Sequence, residues 1–148
     1  MSEDIKLAFG KLNSMRNDSL GQKDRIPIGF VGGGPSSFIG YTHRLAARID
    51  NRFDCVAGVF SRDEKKSKEF AQSLGIEPER AYDNFLTMAE KENMRPNGIK
   101  ALGIMTPSGQ HLEIAEAFLK NNIHIISDKP LTATLEDAYK LRDLVKKK

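Results

Sequence analysis

The sequence predicts an α/β fold: a doubly wound parallel sheet with five recognisable strands in the order 3-2-1-4-5. Three observations carry this. Apolar runs of strand length alternate with stretches whose apolar residues recur at helical spacing. The first run, Ile26–Val31, passes straight into three glycines, Gly32, Gly33 and Gly34. No internal repeat or low-complexity tract interrupts the alternation, and right-handed crossovers then make the strands parallel.

The elements follow in order. Residues 1–24 read as a leader, partly ordered, in which Ile5, Ala8, Leu12 and Met15 fall at helical spacing before a polar linker from Asn13 to Asp24. Residues 25–148 form the domain. Its first strand, Ile26–Val31, is short and apolar, as a strand buried on both faces must be. A helix with Ile39, Leu45, Ala46 and Ile49 follows, and Phe53–Phe60 is the second strand. The next helix turns Phe70, Ala71 and Leu74 inward and stops at Gly75. Arg80-Ala81-Tyr82 is a short third strand, after which Asp83 caps a helix carrying Phe85, Leu86 and Ala89. The turn Arg95-Pro96-Asn97-Gly98 leads to a fourth strand, Ile99–Met105. A helix from Gln110 to Asn121 points Leu112, Ala115, Phe118 and Leu119 inward, and Ile123–Ile126 is the fifth strand. Thr134 caps the last helix, with Asp137 at the third position and Leu135, Ala138, Leu141 and Val145 as its stripe.

Composition excludes several function classes. The 148 residues suffice for one domain with an ordinary core. The formal charge of +3 is interspersed, and Arg62-Asp63-Glu64-Lys65-Lys66 reads as a solvated helix face. Lys146-Lys147-Lys148 complements a helix C-terminus without any partner, so nucleic-acid binding is not expected. No apolar run reaches membrane-spanning length, and charges interrupt the N-terminus where a signal peptide would be apolar. Cys55 is the single cysteine, which excludes an internal disulfide and a multi-cysteine zinc site. It reads as a small buried hydrophobe. No metal site is expected, and the cytoplasm is the expected location.

The chemistry gathers at the strand ends. A strand feeding a glycine turn that opens a helix is the first unit of a dinucleotide-binding fold. There the chain turns sharply, approaches a diphosphate closely and aims helix N–H groups at it. The strict spacing G-x-G-x-x-G is not met: Gly32 and Gly34 are present, but Ser37 stands at the third position and the next glycine is Gly40. The turn is therefore about three residues longer than the standard one, with Gly32, Gly34, Pro35, Ser36 and Ser37 as the candidate diphosphate cradle. Ser61 follows Gly40 by 21 positions, near where such folds meet the adenosine ribose. Ser61-Arg62 suits a 2′-phosphate or a guanidinium stacked on adenine, which leans the cofactor toward NADP over NAD. Asp63 is an alternative acid for NAD, and Ser61 is alternatively a simple helix cap. Two further strand ends carry Thr106-Pro107-Ser108 and Ser127-Asp128-Lys129-Pro130.

Those two groups carry a resemblance. Thr106-Pro107-Ser108-x-x-His111, followed after a helix by Asn122 to Leu131 with Asp128-Lys129-Pro130, resembles the glucose–fructose oxidoreductase / inositol dehydrogenase (Gfo/Idh/MocA) family. Its amino-terminal domain carries T-P-N-x-x-H and then E-K-P. Ile39-Gly40-x-x-His43 matches the family's helix start, and the similarity runs from Arg25 to Lys148.

The resemblance implies a Rossmann-type, NAD(P)-binding domain of an oxidoreductase acting on a sugar, inositol or other polyol. It implies that Lys129 is catalytic, orienting or polarising the reacting hydroxyl, with Pro130 aiming it through an X-Pro bond that is often cis in this family. It places Thr106, Pro107, Ser108, His111, Asp128, Lys129 and Pro130 on the cofactor side, with Lys129 between nicotinamide and substrate. Ser108 stands for the family asparagine and Asp128 for its glutamate. His111 alternatively serves as a cap or spacer, Lys129 as a surface charge, and His43 as a packing residue; His124 lies within a strand. The family's sixth strand and second, substrate-binding domain are not in this sequence, so the chain alone lacks a complete active site. The partner implied for a full-length form is a small-molecule sugar or polyol. An uncovered Ile123–Ile126 edge predicts pairing with other copies, hence a homo-oligomer. The alternative reading is a non-catalytic nucleotide-binding or interaction module of the same fold.

Overall fold

The structure, a computed structural model, describes residues 25–49 and 51–147. The leader at 1–24, with its expected helix, lies outside the described residues. In chain order the elements are β1 (Ile26–Gly32), α1 (Phe38–Ile49), β2 (Phe53–Val59), α2 (Glu64–Ser73), α3 (Phe85–Met94), β3 (Ala101–Met105), α4 (His111–Lys120), β4 (His124–Ser127) and α5 (Leu135–Val145). Short 3₁₀ turns at Pro78–Arg80 and Ser108–Gln110 complete them.

The sheet has four strands, all parallel, in the order β2-β1-β3-β4. This corrects the expected five strands in the order 3-2-1-4-5. The third strand expected at Arg80-Ala81-Tyr82 is reduced to a single parallel bridge between Gly58 and Ala81. The 3₁₀ turn takes the residues before Ala81, and Asn84 already caps α3. Only one ladder position is left between them. The bridge still lies on the outer flank of β2, where the expected order puts it.

Each face of the sheet carries its own core, because alternate strand residues point to opposite sides. Ile28 and Phe30 of β1 pack with Phe60, Ala71, Ile76 and the half-buried Ile39, Ala47, Phe70 and Leu74 of α1 and α2. Val31, Leu102 and Ile104 pack on the other side with Met88, Ala89, Ile114, Ala115, Phe118 and Leu141. Helices therefore cover both faces. Among the described residues no helix is long and apolar enough to cross a membrane.

Helix ends follow local chemistry. Asp63 accepts from Lys66 N and caps α2, and Thr134 accepts from Asp137 N and caps α5. Asn84, not Asp83, caps α3, accepting from the N–H groups of Leu86 and Thr87. Gly75 stops α2 at φ +76°, with Ile76 N–H bonded to Ala71 O and Gly75 N–H to Gln72 O. Asn122 ends α4 the same way at φ +58°. Three expected stripes are redrawn. In α1 the buried residues are Gly40 and Arg44, while Ile49 is exposed. In α3 Met88 and Glu92 face inward and Leu86 faces out; in α5 Leu141 is buried while Leu135 and Val145 are exposed.

Glu92 organises the flank where the third strand stops. It is buried and accepts from Arg80 Nε (3.1 Å), Tyr82 hydroxyl (2.9 Å) and the Ile99 N–H (3.1 Å). One carboxylate thus ties the bridge segment, α3 and the approach to β3. Removing it strands the buried Arg80 charge, so Glu92→Ala lowers unfolding stability by about 3–5 kcal/mol in urea titration. Lys65→Ala, which loses only an exposed pairing with Glu69, leaves the urea midpoint unchanged.

Cys55 packs at the edge of the α1/α2 core, and burial pushes its thiol up from 9.0 to about 12. In the folded state it stays protonated where the unfolded thiol ionises. That contribution is whole below pH 9 and lost as pH rises from 9 toward 12. Cys55→Ala flattens the fall in stability over that window, and native Cys55 resists alkylation at pH 8 until urea exposes it.

Candidate functional site

Because every strand is parallel, their carboxyl ends share one edge. Register places Gly32 beside Met105, Ile104 beside Ser127, and Val31 beside Val59. The candidate residues in the four loops that leave these ends are therefore neighbours in space.

The glycine turn is shaped by contacts within the chain. Gly32 and Gly33 have φ of +85° and +68°, which L-residues with side chains rarely adopt. A Cβ on Gly32 would lie 2.6 Å from Met105 O, one on Gly34 2.5 Å from Phe60 O, and one on Gly40 2.3 Å from Gly33 O. A glycine turn of this kind lets a phosphate approach the main chain. The neighbouring main chain demands the glycines first. The extra length is a turn: Ser37 N–H donates to Gly34 O (2.9 Å), with Pro35 and Ser36 exposed at its tip. Ser37 Oγ accepts from Gly40 N–H at 3.0 Å, so the residue standing where the third glycine is usual acts as the cap of α1. The N–H groups of Phe38 and Ile39, in the first turn, have no helical acceptor of their own.

Beneath the turn lies Arg44. It is buried, donates from Nη1 to Gly33 O, and holds its guanidinium 5.0 Å from the Phe70 ring centroid. Burial lowers its pKa below the usual guanidinium value. Hydropathy periodicity treats an arginine as solvated and so passes over it. Its spacing of four from the buried Gly40 is the signal that was available.

At the opposite side His111 joins two loops. It is 1% exposed. Its Nε2 lies 2.8 Å from Thr106 O, and its Nδ1 lies 3.0 Å from Pro130 O and 3.3 Å from Ser127 Oγ. The ring sits under the cleft and braces the loops after β3 and β4. Ser127, at the end of β4, is a member of this group. The Lys129–Pro130 bond is cis, and Lys129 and Pro130 are exposed. Asp128 Oδ1 is 3.8 Å from His43 Nε2, an ion pair whenever the imidazole is protonated, which ties α1 to the lysine loop. Thr106 Oγ1 is buried without a hydrogen-bond partner.

At the end of β2, Ser61 Oγ accepts from Asp63 N–H, and Asp63 caps α2 while pairing with Lys66. Helix capping falls to Asp63, not to Ser61. Arg62 is exposed, Ser108 is half-buried in its 3₁₀ turn, and Pro107 is exposed before it. No group of His, Cys, Asp and Glu among the described residues suits a metal ion.

These residues fit a dinucleotide. The turn and the start of α1 supply N–H donors for a diphosphate, and the Thr106 hydroxyl, at the end of β3, is buried without a partner among the described residues. A parallel sheet with a glycine turn at a helix start, opposite a lysine loop, defines a dinucleotide-binding domain. The chain belongs to the GFO_IDH_MocA family, described as an oxidoreductase family with an NAD-binding Rossmann fold, whose model matches residues 26–148. It is 41% identical over 119 residues to the uncharacterized oxidoreductase YfiI of Bacillus subtilis, covering 80% of this chain and 30% of that protein. A crystal structure of an oxidoreductase from Pseudomonas syringae superposes with TM-score 0.81 at 44% identity, over 84% of this chain and 34% of the other. An inositol dehydrogenase homolog from Azotobacter vinelandii, solved with NAD+, gives TM-score 0.81 at 42% identity over 84% of this chain and 32% of that one. The chain thus spans about a third of the length of these relatives.

The tight approach of α1 to the glycine turn is the feature most easily tested. Gly40→Ala forces a Cβ into Gly33 O. The start of α1 must then move: the thermal midpoint followed by circular dichroism falls, and calorimetric binding of NADH to the folded protein weakens by at least about tenfold.

Proposed function

We propose that this chain is the cofactor-binding part of an NAD(P)-dependent oxidoreductase that interconverts a secondary alcohol and a ketone on a sugar, inositol or other polyol. One observation carries the reading: the glycine turn and the Lys129 loop leave the same sheet edge, linked through Met105, Thr106 and the buried ring of His111. Bound NAD(P) supplies the hydride acceptor or donor. The chain's own residues do the rest. The glycine turn and α1 hold the diphosphate. Thr106, Pro107 and Ser108 line the cofactor side of the cleft. His111 acts indirectly, as a brace that fixes where the Lys129 loop leaves β4. Lys129 Nζ is the catalytic group: it orients the substrate hydroxyl and stabilises the negative charge that grows on its oxygen as the C–H bond breaks. Asp128, held against His43, keeps a negative charge beside that ammonium.

The same reading leans toward NADP. Asp63 is engaged as the cap of α2, which occupies the nearest acid, whereas Arg62 is exposed beside Ser61. A 2′-phosphate meets a guanidinium there. Substrate contacts and the remaining catalytic groups belong to the rest of the full-length enzyme. The inositol dehydrogenase homolog from Azotobacter vinelandii has also been solved with NADH and myo-inositol, which supports the polyol class.

Calorimetric titration with NADPH and NADH tests the cofactor. NADPH binds about tenfold tighter, and Arg62→Ala removes the difference. Flat titrations with both overturn the reading. In the full-length enzyme Lys129→Ala lowers kcat by about 10²–10³ with cofactor affinity intact. Unchanged turnover would leave a nucleotide-binding module without chemistry at Lys129.

A further inference from the structure

Arg44 is a buried cation that no carboxylate among the described residues pairs with. Arg80, similarly buried, has the carboxylate of Glu92 against both Nε and Nη2. The described partners of Arg44 are a backbone carbonyl and an aromatic face, and its Nε is buried with no hydrogen-bond partner. A buried charge left without an anion is costly, so its placement calls for a compensating role. The carbonyl it holds belongs to Gly33, inside the glycine turn. Across a trans peptide, C=O and the following N–H point in opposite directions. Drawing Gly33 O down onto Arg44 therefore turns the Gly34 N–H away from the buried guanidinium.

We infer that Arg44 is a positioning residue for the diphosphate of the dinucleotide. It pins the Gly33–Gly34 peptide so that the turn presents an N–H to the anion, and its own charge adds attraction from below. Screened by protein and not by bulk water, that attraction is stronger than a surface arginine would give. The inference rests on the glycine turn being the dinucleotide site.

The test titrates NADH into the wild-type chain, Arg44→Met and Arg44→Lys, with ligand-free thermal midpoints measured alongside. Met keeps the stem that packs on Phe70 and loses the charge; Lys keeps the charge. Arg44→Met binds NADH about tenfold more weakly, and Arg44→Lys recovers to within about threefold of wild type. A packing role predicts the reverse order, with Met the better substitute. Wild-type affinity in Arg44→Met, or equal weakness in the two variants, overturns the inference. Should Arg44→Met not fold, Arg44→Gln takes its place in the comparison with Arg44→Lys. A wild-type chain that binds neither NADH nor NADPH removes the cofactor site and this inference together; wild-type binding with indifferent variants removes only the role of Arg44.

Discussion

The contact on which the rest of the structure depends is main chain against main chain: Gly40 at the start of α1 lies on the carbonyl of Gly33. A Cβ on Gly40 would come within 2.3 Å of that oxygen. The closeness sets the angle at which α1 leaves the turn. It also brings Arg44, one helical turn later, under the same carbonyl. From there α1 covers one face of the sheet, and His43 reaches Asp128 at the end of β4. A helix starting even slightly further out would lose both attachments, and with them the link between the two loops that face each other across the sheet edge.

A second brace works on the far side. His111 is a polar ring in an apolar interior, and such a group is tolerated when its nitrogens are met. Here the Thr106 carbonyl lies 2.8 Å from Nε2, while the Pro130 carbonyl and the Ser127 hydroxyl lie 3.0 and 3.3 Å from Nδ1, so each nitrogen has an oxygen partner from one of the two loops. Lys129 stands exposed at the surface of this arrangement, at the end of the loop that the ring braces. Glu92 does the equivalent task on the opposite flank with a buried ion pair, where the third strand has dwindled to one bridge.

Much of this was legible in the residues. Alternating apolar runs gave the α/β class, and the D-K-P and T-P-S-x-x-H groups marked the strand ends that the structure brings together. The helix stop at Gly75 and the cap at Thr134 stand where local chemistry puts them. What escaped has a common cause. Arg44, Glu92 and Arg80 are charged residues in the interior, and hydropathy periodicity assigns such residues to solvent. The third strand failed for a related reason: Arg80 and Tyr82 read as strand-compatible, but their side chains are committed to Glu92 and a 3₁₀ turn shortens the ladder. Pairing extent is a tertiary property, and no window of sequence contains the partner. Asn122 mimicked glycine at the end of α4, and a rule that looks for glycine passes over it.

The division of labour between main chain and side chain has one more consequence. The frame of the cleft is built from glycine contacts, carbonyls and one buried imidazole, whereas Arg62 and Pro107 stand exposed on it and Ser108 half-buried. Selectivity and foldability are thus separately editable. On the proposed function, exchanging those outer groups re-tunes which nucleotide is preferred, while the scaffold that carries them stays as it is.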